Sequence, residues 1–247
     1  MNKLPIIKPF INSNLFDDLC ISSITDDSRD VQENSLFIAR QGVGSHGNEF
    51  IGDAIQKGAS CIITDRELGE QVDIPILYLE NLEEKILKIL FSFYDLSEDD
   101  FIFHGVTGTN GKTSIAYFVA TIGKMLDFEF GYIGTLGCGK IGNLAPGSLT
   151  TPDALDIQRM MRELESQNVE GFSIEVSSHA LAQKRVSHVN FDVAIFSNLS
   201  RDHLDYHKDM ESYGLSKKRL FTEWNLQSTI VNIDDDFGKR IATVSYT

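Results

Sequence analysis

Short apolar runs alternate along this chain with polar, glycine-bearing stretches and with segments whose apolar residues recur at helical spacing. Ser35-Leu36-Phe37-Ile38-Ala39 predicts a strand, and residues 50–58 predict a helix with Phe50, Ile51, Ala54 and Ile55 on one face and Gly58 at its end. Cys61-Ile62-Ile63 and residues 74–79 predict further strands, the second at a sheet edge because Pro75 cannot donate to a ladder. Leu82, Ile86, Ile89, Leu90 and Phe93 keep helical spacing, until the acidic Ser97-Glu98-Asp99-Asp100 interrupts it and marks a boundary between domains 1–98 and 99–247.

Beyond the boundary, Phe101-Ile102-Phe103 predicts a strand, residues 112–126 a helix and residues 131–135 a second strand. Gly137, Gly139, Gly142 and Gly147 suggest a flexible loop that ends at Leu149-Thr150-Thr151-Pro152-Asp153. Thr151 is expected to cap a helix with Pro152 in its first position and Ile157, Met160, Met161 and Leu164 on its buried face. Strands at 172–176 and 191–196, a helix at 211–221 and a strand at 229–232 follow, with no further helix or strand expected after Asp234-Asp235-Asp236. The alternation predicts an α/β protein: a small N-terminal α/β domain, then an incomplete P-loop-type, mainly parallel sheet with helices on both faces. Ligands of such sheets bind beyond the carboxyl ends of the strands.

Composition narrows the partners. With 42% hydrophobic and 23% charged residues the chain is that of a globular protein. A formal net charge of −14 opposes nucleic acid and anionic membranes, which both need a basic face. It does not oppose a nucleotide, because one lysine, one arginine and Mg²⁺ can reverse the field within a site. The N-terminus has too short an apolar run for a signal peptide, no stretch approaches the ~18 apolar residues of a membrane helix, and Cys20, Cys61 and Cys138 lack metal-ligand spacing. A cytoplasmic setting with free thiols is expected.

The chemistry is concentrated in His104-Gly105-Val106-Thr107-Gly108-Thr109-Asn110-Gly111-Lys112-Thr113-Ser114, a glycine turn between strand and helix. Backbone N–H groups and a helix N-terminus there can face phosphate, Lys112 can neutralise its β and γ groups, and Thr113 can hold Mg²⁺. The general pattern would place glycine where Val106 stands. Glu175 ends an apolar strand, where an unpaired carboxylate would cost several kcal/mol, so a metal is the expected partner. His203, in Asn198-Leu199-Ser200-Arg201-Asp202-His203-Leu204-Asp205-Tyr206-His207, is a metal-ligand candidate, whereas Asp205 and His207 read as solvated. Thr150, Thr151, Ser177, His179, Gln183 and Arg185 suit a second, anionic and sugar-like ligand. Lys217-Lys218, from spacing alone, reads as a surface pair.

Four motifs in order, Gly-Thr-Asn-Gly-Lys-Thr at 108–113, Thr-Thr-Pro at 150–152, Glu-Val-Ser-Ser-His-Ala-Leu at 175–181 and Ser-Asn-Leu-Ser-Arg-Asp-His-Leu-Asp-Tyr-His at 197–207, resemble the Mur ligases, and most nearly the MurE type. The resemblance implies an ATP-dependent ligase of peptidoglycan synthesis that adds a third amino acid, diaminopimelate or lysine, to UDP-N-acetylmuramoyl-L-alanyl-D-glutamate. It assigns ATP to Gly108, Thr109, Asn110, Gly111, Lys112, Thr113, Ser114 and Asn198. It assigns the UDP part to Asp26, Ser28, Val43, Gly44 and Ser45, and the muramoyl-peptide part to Thr150, Thr151, Ser177, Gln183 and Arg185. Glu175 and His203 match Mg²⁺ ligands, beside Thr113 from the cradle, and Lys217 matches a lysine that the family carries as a CO₂-derived carbamate able to ligate a second Mg²⁺. The family continues through the rest of this sheet into a C-terminal domain that selects the amino acid. The resemblance therefore covers an N-terminal portion, expected to be inactive alone or to need the remainder in trans. Another Mur-type or folylpolyglutamate-type ligase, or a nucleotide- and UDP-sugar-binding module without turnover, stands as the alternative.

Overall fold

The computed structural model describes residues 2–3, 19–42, 44–69, 71–82, 85–86, 89–90, 93, 101–147 and 149–243. The chain divides into two compact units, residues 1–96 and 97–247. Residues 94–100, where the sequence places its boundary, lie outside the described residues, as does Val43.

In the first unit β1 (Asn2–Lys3) and β2 (Cys20–Ile21) pair antiparallel. β3 (Ser23–Thr25), β4 (Ser35–Ala39), β5 (Ala59–Thr64) and β6 (Ile76–Tyr78) form a parallel sheet in that order. β6 lies at the edge, as Pro75 predicts. The strands before Ser35 are two and three residues long, too short to leave an alternation in the sequence. Helix α1 (Ile51–Gln56) buries Ile51 and Ala54 against Phe37, Ala39 and Ile62. Phe50, expected on that buried face, is instead 41% exposed, because it closes the 3₁₀ turn Gly47–Phe50 that precedes the helix. Leu82, Ile86, Ile89, Leu90 and Phe93 are helical and buried, so this apolar stripe faces the core.

The second unit holds a seven-stranded sheet built from β7 (Ile102–Thr107), β8 (Phe130–Gly134), β9 (Gly137–Lys140), β10 (Asn143–Ala145), β11 (Gly171–Glu175), β12 (Val193–Phe196) and β13 (Ser228–Val231). The order is β10-β9-β8-β11-β7-β12-β13. β8, β11, β7, β12 and β13 run parallel, and β9 and β10 add an antiparallel hairpin at one end. After β7 the chain passes beyond β11 to build β8, returns to β11 and then crosses β7 to reach β12. The carboxyl end of β7 is thus the switch point, where a crevice opens between loops leaving in opposite directions.

Helix α2 (Lys112–Met125) lays Ala116 and Ala120 on Val106, Phe130, Tyr132 and Ile195. The opposite face carries Phe101, Phe103 and Phe172, with Phe103 and Phe172 stacked at 5.6 Å and 15°. Helix α3 (Ala154–Glu165) brings Leu164 to that side, beside Phe172 and the bare Cα of Gly131. Helices therefore cover both faces. Among the described residues no helix is long and apolar enough to cross a membrane, and the three cysteines are free.

Three local expectations give way to the structure. The stretch 137–145 is a hairpin: Gly137 and Gly139 adopt φ of +116° and +143°, and a Cβ on either would strike the backbone oxygen of Ala145 or Asn143. Here glycine permits close strand approach and positive φ, so its loop signature misleads. Asp153, rather than Thr151, caps α3 by accepting from the Asp156 N–H at 3.0 Å. Thr151 is drawn away by the carbonyl of Glu175, to which its hydroxyl donates at 2.7 Å. Finally, a helix follows β13: α7 (Asp236–Ala242), capped by the Asp235 carboxylate on the N–H groups of Phe237 and Gly238. The acidic run Asp234-Asp235-Asp236 is its capped first turn, where carboxylates oppose the helix dipole.

Substitution at two glycines checks this reading. Gly139→Ala lowers unfolding free energy in urea by about 1–3 kcal/mol, the strain class of a forced positive φ with backbone overlap. Gly52→Ala, on open helix surface with nothing within 4 Å of a new Cβ, raises it by up to about 1 kcal/mol. A neutral Gly139→Ala would contradict the hairpin.

Candidate active site

β7 delivers the chain to Gly108, whose φ of +148° and contact with Ser197 leave no room for a Cβ. Gly111, at φ +84°, is the N-cap of α2. The first-turn N–H groups of α2 around Lys112, Thr113 and Ser114 have no acceptor inside the helix and face outward as an anion site. The loop is held from the segment after β12. The Asn198 side chain accepts from the Asn110 N–H at 3.1 Å and donates to the Asn110 carbonyl at 3.0 Å, while Ser197 Oγ donates to that carbonyl at 2.6 Å. Thr109 N–H donates to the Asn198 carbonyl at 2.8 Å. Val106, the departure from the general pattern, is fully buried in β7 beneath α2, so it belongs to the core and not to the loop.

Two lysine amines meet at this loop. Lys112 Nζ donates to the Gly108 and Thr109 carbonyls at 2.9 and 3.0 Å, and Lys217 Nζ donates to the same Gly108 oxygen at 2.7 Å. Lys217, on α6 (Met210–Lys218), is 1% exposed and lies 4.5 Å from the centre of the Tyr213 ring. It is no surface lysine, contrary to the expectation from spacing; Lys218 is the half-exposed one. Burial first, and then the charge of Lys112, push the Lys217 amine down to about 7, against a smaller opposing pull from Asp202. Burial also lowers Lys112, with Glu175 and Asp202 opposing.

Glu175 closes β11, fully buried, and its carboxylate is saturated by donors. Oε1 accepts from the Tyr132 hydroxyl and from the Thr135 N–H at 2.8 Å, and Oε2 accepts from Thr113 Oγ1 at 2.8 Å and Thr135 Oγ1 at 3.2 Å. Its cost of burial is met by these bonds. Burial and the Glu175 contact raise the Tyr132 phenol above its ordinary range. Tyr132 and Thr135 carry no motif; only the alternation that puts Tyr132 beside Ser173, on the Glu175 face of the sheet, marks them.

A second wall rises beside Glu175. The Thr150 and Thr135 hydroxyl oxygens lie 3.1 Å apart, the Ser177 N–H donates to Thr151 Oγ1 at 3.0 Å, and Arg185 Nη1 donates to the Thr151 carbonyl at 3.0 Å. Ser177 caps α4 (Ser178–Ala182) through the Ala180 N–H at 3.2 Å. Gln183 Nε2 donates to Tyr206 Oη at 3.3 Å. Tyr206 belongs to α5 (Leu204–His207), a single turn entered through His203 in the left-handed region at φ 52°. His203 is 44% exposed, 3.4 Å from Asp202 through Nε2, and its ring centre lies 4.9 Å from that of His179. His207, expected to be solvated, is buried between Ser178 Oγ at 2.9 Å and Ser216 Oγ at 3.4 Å, because α5 folds down between α4 and α6. Burial, then neighbouring positive groups, depress both His179 and His207, so both imidazoles are held toward the neutral form.

In the first unit Asp26 follows β3 and receives Arg40, which follows β4, through Nε at 2.8 Å and Nη2 at 2.5 Å. The Ser28 carbonyl accepts from Lys57 Nζ at 2.9 Å, and the Ser45 carbonyl accepts from the Gly42 N–H at 2.9 Å, with Gly44 open above the turn. Sequence reading missed Arg40, whose only signal is its place at a strand's carboxyl end.

The proposed metal set is only partly assembled. Thr113 and Glu175 touch, Lys217 reaches the cradle, and His203 makes its contacts with Asp202 and His179. Among the described residues no three His, Cys, Asp or Glu side chains are grouped to hold a metal ion. The hydroxyl–carboxylate pair fits Mg²⁺ all the same, since that ion keeps several waters and takes one or two protein oxygens alongside phosphate.

Known proteins resemble this chain over both of its units. Residues 106–246 match the model of the Mur ligase middle domain, and residues 20–87 match that of the Mur ligase family, catalytic domain. The chain is 41% identical over 233 residues to a UDP-N-acetylmuramoyl-L-alanyl-D-glutamate--2,6-diaminopimelate ligase of Coxiella burnetii, covering 93% of this chain and 48% of that protein. It is 41% identical over 246 residues to the Pseudomonas putida ligase of the same name, covering 98% and 49%. A solved structure of a ligase of that name superimposes with a TM-score of 0.78 at 29% identity, over 95% of this chain and 47% of that one. The chain spans about half the length of the curated relatives it matches. On these matches, this chain belongs to the Mur ligase family.

Proposed function

We propose that the chain supplies the UDP-substrate and ATP sites of a ligase that joins diaminopimelate to UDP-N-acetylmuramoyl-L-alanyl-D-glutamate. The observation that carries this reading is the meeting of Lys112, Thr113, Glu175 and Lys217 around one glycine loop. The relatives at 41% identity bear that activity in their names, which favours diaminopimelate over lysine.

In this reading the γ-phosphate of ATP lies over the loop from Gly108 to Ser114, with Lys112 turning from the loop carbonyls to the phosphate oxygens. A substrate carboxylate attacks the γ-phosphorus, the bond to the β–γ bridging oxygen breaks, and ADP leaves behind an acyl phosphate. The amine of the incoming amino acid attacks the acyl carbon, loses a proton, and expels phosphate. Catalysis is positioning and charge neutralisation, the general logic of phosphoryl transfer. Thr113 and Glu175 would hold Mg²⁺, which supplies charge against the phosphates when bound. Arg185, Gln183, Ser177, Thr150 and Thr151 hold the muramoyl-dipeptide, and Asp26, Ser28, Val43, Gly44 and Ser45 hold the uridine diphosphate. Asn198 fixes the loop through both sides of the Asn110 peptide.

Lys217 is the residue for a carbamate. With its amine lowered to about 7, a substantial fraction is neutral near neutral pH, and the neutral nitrogen attacks CO₂, releases a proton and becomes an N–H-bearing carbamate that can still donate to Gly108. The new anion beside Lys112 replaces a repulsion by an attraction, and it would offer a ligand to a second Mg²⁺.

In equilibrium titration, residues 1–247 are expected to bind UDP-N-acetylmuramoyl-L-alanyl-D-glutamate more tightly than UDP, and to release no phosphate when ATP, Mg²⁺ and diaminopimelate are added. Equal affinity for the two ligands would contradict the substrate assignment, and turnover would contradict amino-acid selection outside these residues. With ¹³C-bicarbonate, a carbamate resonance is expected that Lys217→Met removes and Lys218→Met keeps. The reverse pattern would place the carbamate wrongly.

A further inference from the structure

Tyr206 is an exposed aromatic held as if buried. The residue is 42% exposed, yet its ring is fixed from three sides. The His179 ring centre lies 4.2 Å away at a 44° tilt, the His207 ring stands edge-on at 4.8 Å and 76°, and Gln183 Nε2 donates to the hydroxyl at 3.3 Å. The two imidazoles are themselves anchored. His207 is pinned between Ser178 and Ser216, and His179 stands on α4, whose N-cap is Ser177. The turn that carries Tyr206 is set by the left-handed backbone at His203.

The two imidazole contacts and the Gln183 hydrogen bond hold the exposed part of the ring in one orientation. Such a ring makes sense as a platform, because a tyrosine has only two side-chain torsions to order and combines an apolar face with a polar tip. What lies around it says what it receives. Gln183 and the imidazoles offer donors and acceptors at the rim, and Arg185, two residues beyond Gln183, offers a cation. A pyranose has an apolar C–H face bounded by hydroxyl and acetamido groups, and the muramoyl unit adds a carboxyl-bearing arm.

We propose that Tyr206 is the stacking platform for the muramoyl sugar ring, fixed by His179, His207 and Gln183. The proposal rests on the substrate reading above and adds to it a residue that contacts the sugar through its ring face. Tyr206→Ala is expected to weaken binding of UDP-N-acetylmuramoyl-L-alanyl-D-glutamate about fivefold to tenfold, the range of one aromatic contact. Affinity for UDP and for ATP stays within twofold, and Tyr206→Phe, which keeps the ring, stays within twofold for all three ligands.

Calorimetric titration of the three proteins with the three ligands decides the matter. An unchanged affinity in Tyr206→Ala overturns the platform. So does an equal loss for UDP and ATP, which would mean a disturbed fold, or a loss in Tyr206→Phe as large as in Tyr206→Ala, which would assign the effect to the hydroxyl. If the unsubstituted chain binds the sugar-dipeptide no better than UDP, the substrate reading fails and the platform fails with it. If the unsubstituted chain discriminates and Tyr206→Ala discriminates to the same degree, the platform alone is wrong.

Discussion

One backbone oxygen, the carbonyl of Gly108, receives the amines of both Lys112 and Lys217. Two ammonium groups ~4 Å apart repel by about 4 kcal/mol at an effective dielectric of 20, while a hydrogen bond to a charged group returns only about 1.5–3 kcal/mol. Even with the Thr109 carbonyl that Lys112 also reaches, the Gly108 oxygen does not balance two full charges in a buried place. The arrangement is relieved when Lys217 is neutral, which burial brings near neutral pH, or when an anion joins the pair. Both routes fit the proposed chemistry, in which a phosphate lies over the loop and the Lys217 amine takes up CO₂.

The sheet order makes this meeting possible. Because β7 lies between β11 and β12, three carboxyl ends open on one crevice: the cradle after β7, Glu175 at the end of β11 and the Ser197–Asn198 clamp after β12. Lys217 reaches the loop from α6, between β12 and β13, with Tyr213 beneath its amine. Glu175 spends both oxygens on Tyr132, Thr113 and Thr135, so it ties β8 to the first turn of α2. A metal placed there would take over bonds already formed between the same oxygens.

Much of the second unit is legible in the sequence because its parallel strands are apolar runs and its helices keep a 3.6-residue period. The glycine turn, Glu175 and the loop from Ser197 announce themselves by residue type at a strand end. What escaped did so for physical reasons. Gly137 and Gly139 look like loop residues, although they serve a hairpin whose strands approach too closely for a Cβ. Asp234-Asp235-Asp236 looks like a solvated run and is a helix cap. Thr151 has the chemistry of a cap, but the Glu175 carbonyl, distant in sequence, claims its hydroxyl. The burial of Lys217 and His207 depends on how α4, α5 and α6 fold together, which no local pattern encodes. Tyr132, Thr135 and Arg40 matter only through partners 43, 40 and 14 residues away.

The central claim is that the loop at Gly108 is an anion site whose charge is set by Lys112 and Lys217 together. Titration of residues 1–247 with ATP and Mg²⁺, beside the Lys112→Ala variant, tests it most directly. The account predicts saturable binding that Lys112→Ala weakens at least tenfold, while thermal stability does not fall, because removing one of two like charges relieves the pair. Equal affinity in the two proteins would contradict it.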